Sequence, residues 1–105
     1  MNKFVYISWT CRNLEEARKI AGELLQKKLV GCVNIIPHVE SIYLWKGKIE
    51  TSQEVKVFLK TIDRNYTLVK DYIEQTGSYE VPEVAKILLD EINPSYQKWL
   101  NEIFT

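Results

Sequence analysis

The sequence predicts an α+β fold of four antiparallel strands and two helices, followed by a further helix near the C-terminal end. Two kinds of segment predict it: runs rich in β-branched and aromatic residues, and runs with apolar residues at helical spacing. Their order along the chain, β-α-β-β-α-β and then a helix, is the third observation. The 105 residues form one domain, residues 1–105, because a chain of this length buries roughly two-thirds of its unfolded surface and holds a single core.

Lys3 to Thr10 reads as a buried strand, with Val5, Ile7 and Trp9 alternating with Phe4, Tyr6 and Ser8 so that both faces are apolar. A short loop at Cys11-Arg12 precedes a helix over residues 13–29. Asn13 is its expected cap, with Glu16 three positions on, and Leu14, Ala17, Ala21 and Leu24 form its stripe. Gly31 is the expected stop. Cys32 to Trp45 is a long strand, bent or bulged at Pro37. Trp45-Lys46-Gly47-Lys48 is a tight turn, and the strand returns from Ile49 to Thr61, which makes an unusually long hairpin. A second helix is expected from Arg64 to Thr76, capped by Asp63 and ended by Gly77, with Tyr66, Val69, Tyr72 and Ile73 facing inward. Glu83 to Glu91 reads as the fourth strand. Asn93-Pro94 then opens the last helix, whose stripe is Tyr96, Trp99, Leu100 and Ile103.

This order is that of a ferredoxin-like split βαβ unit, an antiparallel sheet with two helices on one face. Such a fold names no function. Phe4, Tyr6 and Phe58 fall on one face of the sheet and Val5, Ile7, Val57 and Leu59 on the other, so a single copy would expose apolar surface. Subunits are therefore expected to pack sheet on sheet, with the hairpin reaching a neighbour.

Composition narrows the partners. With 14 basic and 14 acidic residues there is no net field to draw nucleic acid, an anionic membrane or an acidic substrate. Two cysteines, Cys11 and Cys32, with no C-x-x-C spacing, argue against a disulfide scaffold and for a reducing cytoplasm. The apolar run at the start ends by Ser8, too short for a signal or membrane segment, so no export is expected.

Six stretches, in order, resemble one family. They are Thr10-Cys11; Gly31-Cys32-Val33-Asn34-Ile35-Ile36-Pro37; Ser41 to Ile49 with its S-x-Y-x-W-x-G-x-I spacing; Lys60-Thr61; Tyr79-Glu80-Val81-Pro82-Glu83; and Asn93-Pro94-x-Tyr96-x-x-Trp99-Leu100. The chain resembles the CutA divalent-cation tolerance family over almost its whole length. That resemblance implies a ferredoxin-like homotrimer related in shape to the PII signalling proteins and associated with tolerance of divalent cations, copper especially. The chain departs from the pattern at one place: Gly77-Ser78 stand where relatives usually carry His-Pro, so the imidazole offered to copper in relatives is absent.

Two function classes follow. In the first, a cytoplasmic homotrimer binds copper or a similar divalent cation, with Cys11 as the soft ligand; its place before a helix start is expected to lower the thiol pKa. In the second, a PII-like protein binds a small anionic metabolite between subunits near Glu54, Lys60, Tyr79, Glu80 and Glu83. A cluster of charges that only holds the trimer together is the plainer account of those five residues. Cys32 reads as packing and His38 as a solvated hairpin residue. Catalysis is not expected: Arg12 follows the first strand without the glycines of a phosphate-cradling loop, and no nucleophile, base and orienter stand together. RNA recognition lacks its aromatic motif, and no cofactor is required.

Overall fold

The computed structural model describes residues 3–105. Its elements are β1 Phe4–Cys11, α1 Leu14–Gln26, β2 Cys32–Trp45, β3 Lys48–Ile62, α2 Tyr66–Thr76, β4 Val84–Leu88 and α3 Pro94–Ile103. The strands form one sheet in the order β2-β3-β1-β4, and every neighbouring pair is antiparallel. Residues 1 and 2, which open the expected domain, lie outside the described residues.

Alternation along β1 and β3 divides the sheet into two faces. Val5, Ile7, Trp9, Val57 and Leu59 are fully buried beneath α1 and α2, where they meet Ala17, Ile20, Leu24, Val69 and Ile73. Phe4 and Ile62, partners across β1 and β3, point the other way and pack on Leu100 of α3. The third helix thus covers one end of the second face. The remainder of that face is less oily than expected, because Lys56 and Lys60 lie across it with their ammonium groups 5.9 Å from the Phe58 ring and 5.4 Å from the Tyr6 ring.

Local chemistry explains most element ends. Asn13 Oδ1 accepts the Glu16 amide at 2.8 Å, as its cap position requires. The first helix stops earlier than expected, after Gln26, because Lys28 turns left-handed (φ 57°) and the Leu29 and Lys28 amides close back on the Leu24 and Leu25 carbonyls. Gly31 serves another purpose: a Cβ there would lie 2.6 Å from Leu100 Cδ1, so its bareness lets α3 dock. Lys46 (φ 51°) and Gly47 (φ 81°) supply the two left-handed residues of a hairpin turn. The bulge expected near Pro37 is present, as a register shift between Ile36 and Val39.

Two helix starts lack a side-chain cap bond, although Asn93 does hold the N-cap position of α3. Asp63 Oδ1 pairs with Lys86 Nζ at 2.7 Å, and residues Asp63–Asn65 make a 3-10 turn before α2 begins at Tyr66. Asn93 donates from Nδ2 to Ser95 Oγ at 3.0 Å instead of accepting a helix amide. The fourth strand is also shorter than Glu83 to Glu91, since only Val84–Leu88 pair with β1.

Candidate functional site

The β2-β3 hairpin runs on beyond the bulge and draws the molecule out to 45 × 26 × 22 Å. Along one side of its base the end of β1 and residues 79–83 form a groove of about 680 Å³. Tyr43, Trp45 and Tyr79 supply its aromatic walls, and Glu50, Glu54 and Glu80 its acidic ones. Antiparallel register builds this side: Ser41 faces Ser52 and Tyr43 faces Glu50, so their side chains emerge on the same surface of the hairpin.

Glu54 is the half-buried centre of the groove. Ser41 Oγ donates to its Oε2 at 2.9 Å, while Tyr79 Oη and Ser52 Oγ donate to Oε1 at 3.1 and 3.4 Å. Neutral hydroxyls alone satisfy this carboxylate, and no ion pair among the described residues reaches Glu54, Glu50 or Glu80. Burial, and then the bond to Glu54, push the Tyr79 phenol up to about 12. Arg12 stacks 4.8 Å from the centre of the Tyr79 ring and bonds Ser78 Oγ at 3.0 Å.

At the β1 end of the groove, Glu83 Oε1 accepts Lys56 Nζ at 2.6 Å and Thr10 Oγ1 at 2.8 Å. Burial alone would raise the Glu83 pKa, but the lysine and threonine bonds outweigh it and hold the carboxyl below its ordinary range. The pair is therefore neutral as a unit.

Of the five expected ligand residues, Glu54, Tyr79, Glu80 and Glu83 meet in this groove and Lys60 does not. Lys60 lies at the far end of the same sheet face, between the Tyr6 and Tyr96 rings and 3.9 Å from Cys32 Sγ. The lysine that joins the glutamates is Lys56. Thr10 and Lys56 went unremarked as site residues in the sequence; the signal was present in the shared parity of Lys56 and Lys60, but only pairing with β1 assigns Lys56 to Thr10 and Lys60 to Tyr6.

Cys11 lies behind the groove, in the core. It is fully buried, and its thiol donates toward Asn13 O at 3.5 Å and Glu16 Oε2 at 3.4 Å. The expectation of a lowered pKa is reversed: desolvation, reinforced by the Glu16 carboxylate, pushes the thiol up to about 11. Among the described residues no three His, Cys, Asp or Glu side chains stand close enough to share a metal ion. One protonated thiol beside one carboxylate does not fit a copper ion, so the described residues of a single chain do not supply the metal site expected at Cys11 from its place before the helix start.

An antiparallel sheet with two helices on one face, a third over one end of the other, and a long hairpin walling an acidic, aromatic groove defines a small α+β domain. Residues 5–103 match the family model described as CutA1 divalent ion tolerance protein. The chain belongs to that family. It is 37% identical over 102 residues to the divalent-cation tolerance protein CutA of Archaeoglobus fulgidus, a match covering 97% of each chain. It is 40% identical over 94 residues to the protein CutA homolog of Xenopus laevis, covering 90% of this chain and 62% of that one. The chain likewise spans only about half the length of the mouse and human CutA proteins, 53% and 52%. Among solved structures, the periplasmic divalent cation tolerance protein CutA of Archaeoglobus fulgidus superposes with a TM-score of 0.90 at 35% identity over 100% of both chains. CutA1 of Oryza sativa gives 0.92 at 31% identity, covering 96% of this chain and 93% of that one.

Proposed function

We propose that this chain is a homotrimeric, non-catalytic binding protein of the divalent-cation tolerance class, acting in the cytoplasm and taking its ligand in the groove around Glu54. The ferredoxin-like form of the fold is supported by the strand order β2-β3-β1-β4 with two helices on one face. The cytoplasmic setting is supported by the free thiols of Cys11 and Cys32.

One observation carries the self-association. Ile42, Leu44 and Ile49 stand on one side of the hairpin and are 66%, 75% and 75% exposed, an apolar ridge with no cover in its own chain. Burying it is worth on the order of 25 cal/mol per Å², which a neighbouring copy supplies and water does not. Copper or another divalent cation is then held between copies, through carboxylates of the groove, since the described residues of one chain hold no complete donor set. The PII-like reading is weaker: Lys60, its intended anion contact, is away from the groove, and the lysine that is there is neutralised by Glu83.

Native mass spectrometry of the purified chain tests this. The expected spectrum is a trimer that retains or takes up divalent metal; a stable monomer would overturn the proposal.

A further inference from the structure

We propose that Lys60 of one copy enters the groove of the next, so that the site at Glu54 is walled by two chains and is incomplete in one. This rests on the self-association and the groove already described, and names the residue that the neighbour contributes.

Lys60 is the first observation. It stands in a row that crosses the sheet from Cys32, at the β2 edge, through Lys60 and Tyr6 to Ile87. Its half-buried ammonium lies over the Tyr6 and Tyr96 rings, with the Cys32 thiol at 3.9 Å, and no carboxylate pairs with it among the described residues. Lys56, on the same strand and face, is by contrast paired with Glu83 at 2.6 Å. On the α3 side of Lys60, Tyr96 Oη is buried without a hydrogen-bond partner, the one such side-chain atom among the described residues. The row holds donors and lacks an anion.

The groove is the converse. Glu50, Glu54 and Glu80 line it without an ion-pair partner among the described residues, and Arg12 is the one cation of its lining. Distance keeps the two apart within a chain: Glu54 and Lys60 share a face of β3 but stand six residues, roughly 20 Å, apart, more than a lysine side chain spans. Between copies the same geometry favours their meeting. Both point from one surface of the sheet, so two sheets laid face to face, one displaced along its hairpin, bring the lysine of the first against the glutamates of the second. In a closed ring every copy then gives one Lys60 and receives one.

Apolar surroundings strengthen the pair. Ile87 is 48% exposed in the lysine's row, and Tyr43 and Trp45 are each 40% exposed on the groove wall. Packed against one another they exclude water, and a charge pair shielded in this way is worth far more than one on an open surface. The ammonium takes one carboxylate and leaves the others to the ligand of the site.

Sedimentation across a dilution series tests the proposal, with circular dichroism to check that each variant folds. Lys60→Gln and Glu54→Gln are each expected to raise the concentration at which the assembly dissociates by about tenfold or more. The double variant should do no more than the worse single one, because both remove the same contact. A second measurement needs no substitution: carbodiimide treatment of assemblies refolded from ordinary and isotope-labelled chains together is expected to join Lys60 to Glu50, Glu54 or Glu80 across the two labels. A trimer whose dissociation ignores Lys60→Gln, single effects that simply add, or no Lys60 link between differently labelled chains would overturn the proposal. A wild-type monomer would overturn the self-association with it. A trimer that binds copper through Glu54 and is indifferent to Lys60 would remove this inference and leave the proposed function standing.

Discussion

Tyr79 and Glu54 join two parts of the chain that local sequence does not connect: the phenol, on the segment after α2, donates to a carboxylate of the hairpin at 3.1 Å. The bond closes the groove at its centre. It also makes the groove sensitive to strong alkali, because burial and Glu54 together hold the phenol at about 12, above its ordinary value of 10.0.

Replacing Tyr79 by Phe removes one of three donors to Glu54 and is expected to cost about 1 kcal/mol, read as a lower urea midpoint at neutral pH. The pH dependence has a definite sign. A folded-state pKa raised above the unfolded one contributes stability that is whole below pH 10 and disappears as pH rises toward 12. Tyr96, pushed to about 12 first by burial and then by Cys32, falls in the same window. Tyr79→Phe should therefore flatten part of the alkaline loss, and an unchanged profile would count against the half-buried phenol bonded to Glu54.

The two thiols should differ sharply in reactivity. Cys11 is fully buried with its pKa pushed to about 11, whereas Cys32 is partly exposed beside Lys60. At pH 8 a disulfide reagent is expected to modify one thiol per chain quickly and the second only on unfolding. Cys32→Ser should abolish the fast phase and Cys11→Ser should spare it; the reverse would place the reactive thiol wrongly.

Gly31→Ala is expected to loosen the C-terminal helix. The added methyl would stand 2.6 Å from Leu100 Cδ1 and 3.0 Å from Ile103 Cδ1, so α3 must shift or its side chains leave their rotamers. Overpacking of this kind costs typically about 1–3 kcal/mol, and hydrogen exchange should rise first in Pro94–Ile103. Protection that stays unchanged there would show the contact to be slack.

Gly77→His introduces the imidazole that the family resemblance implies at this position. Its Cβ would lie 3.9 Å from Glu16 Oε2, the carboxylate that accepts the Cys11 thiol, and so would bring a third donor type to that pair. The same Cβ would meet the Ile73 carbonyl at 2.8 Å, a clash expected to lower stability by about 1–3 kcal/mol. Titration should show a copper site in Gly77→His that is absent from Gly77→Ala and lost again on adding Cys11→Ser. A site that survives the loss of the cysteine would refute the assignment.

Local chemistry made much of this legible in advance. Lys46 and Gly47 adopt the left-handed turn that a two-residue hairpin requires, and Asn13 caps α1 through the Glu16 amide. The lysines were not legible in the same way. Lys56 and Lys60 share a face of β3 and stand four residues, roughly 13 Å, apart, so which one meets the glutamates depends on pairing with β1. Asp63 looked like a cap until tertiary folding brought Lys86 within 2.7 Å.

The order of strands and helices and the kinship with the CutA1 family were settled by the sequence itself, because side-chain periodicity and turn residues act between near neighbours in the chain. The tertiary structure decided which charges meet. It placed Cys11 in the core, where desolvation keeps its proton on, and gathered Tyr79, Glu54 and Glu83 from distant segments into one groove. Burial and strand register set both outcomes, and neither is a property of any short stretch of sequence.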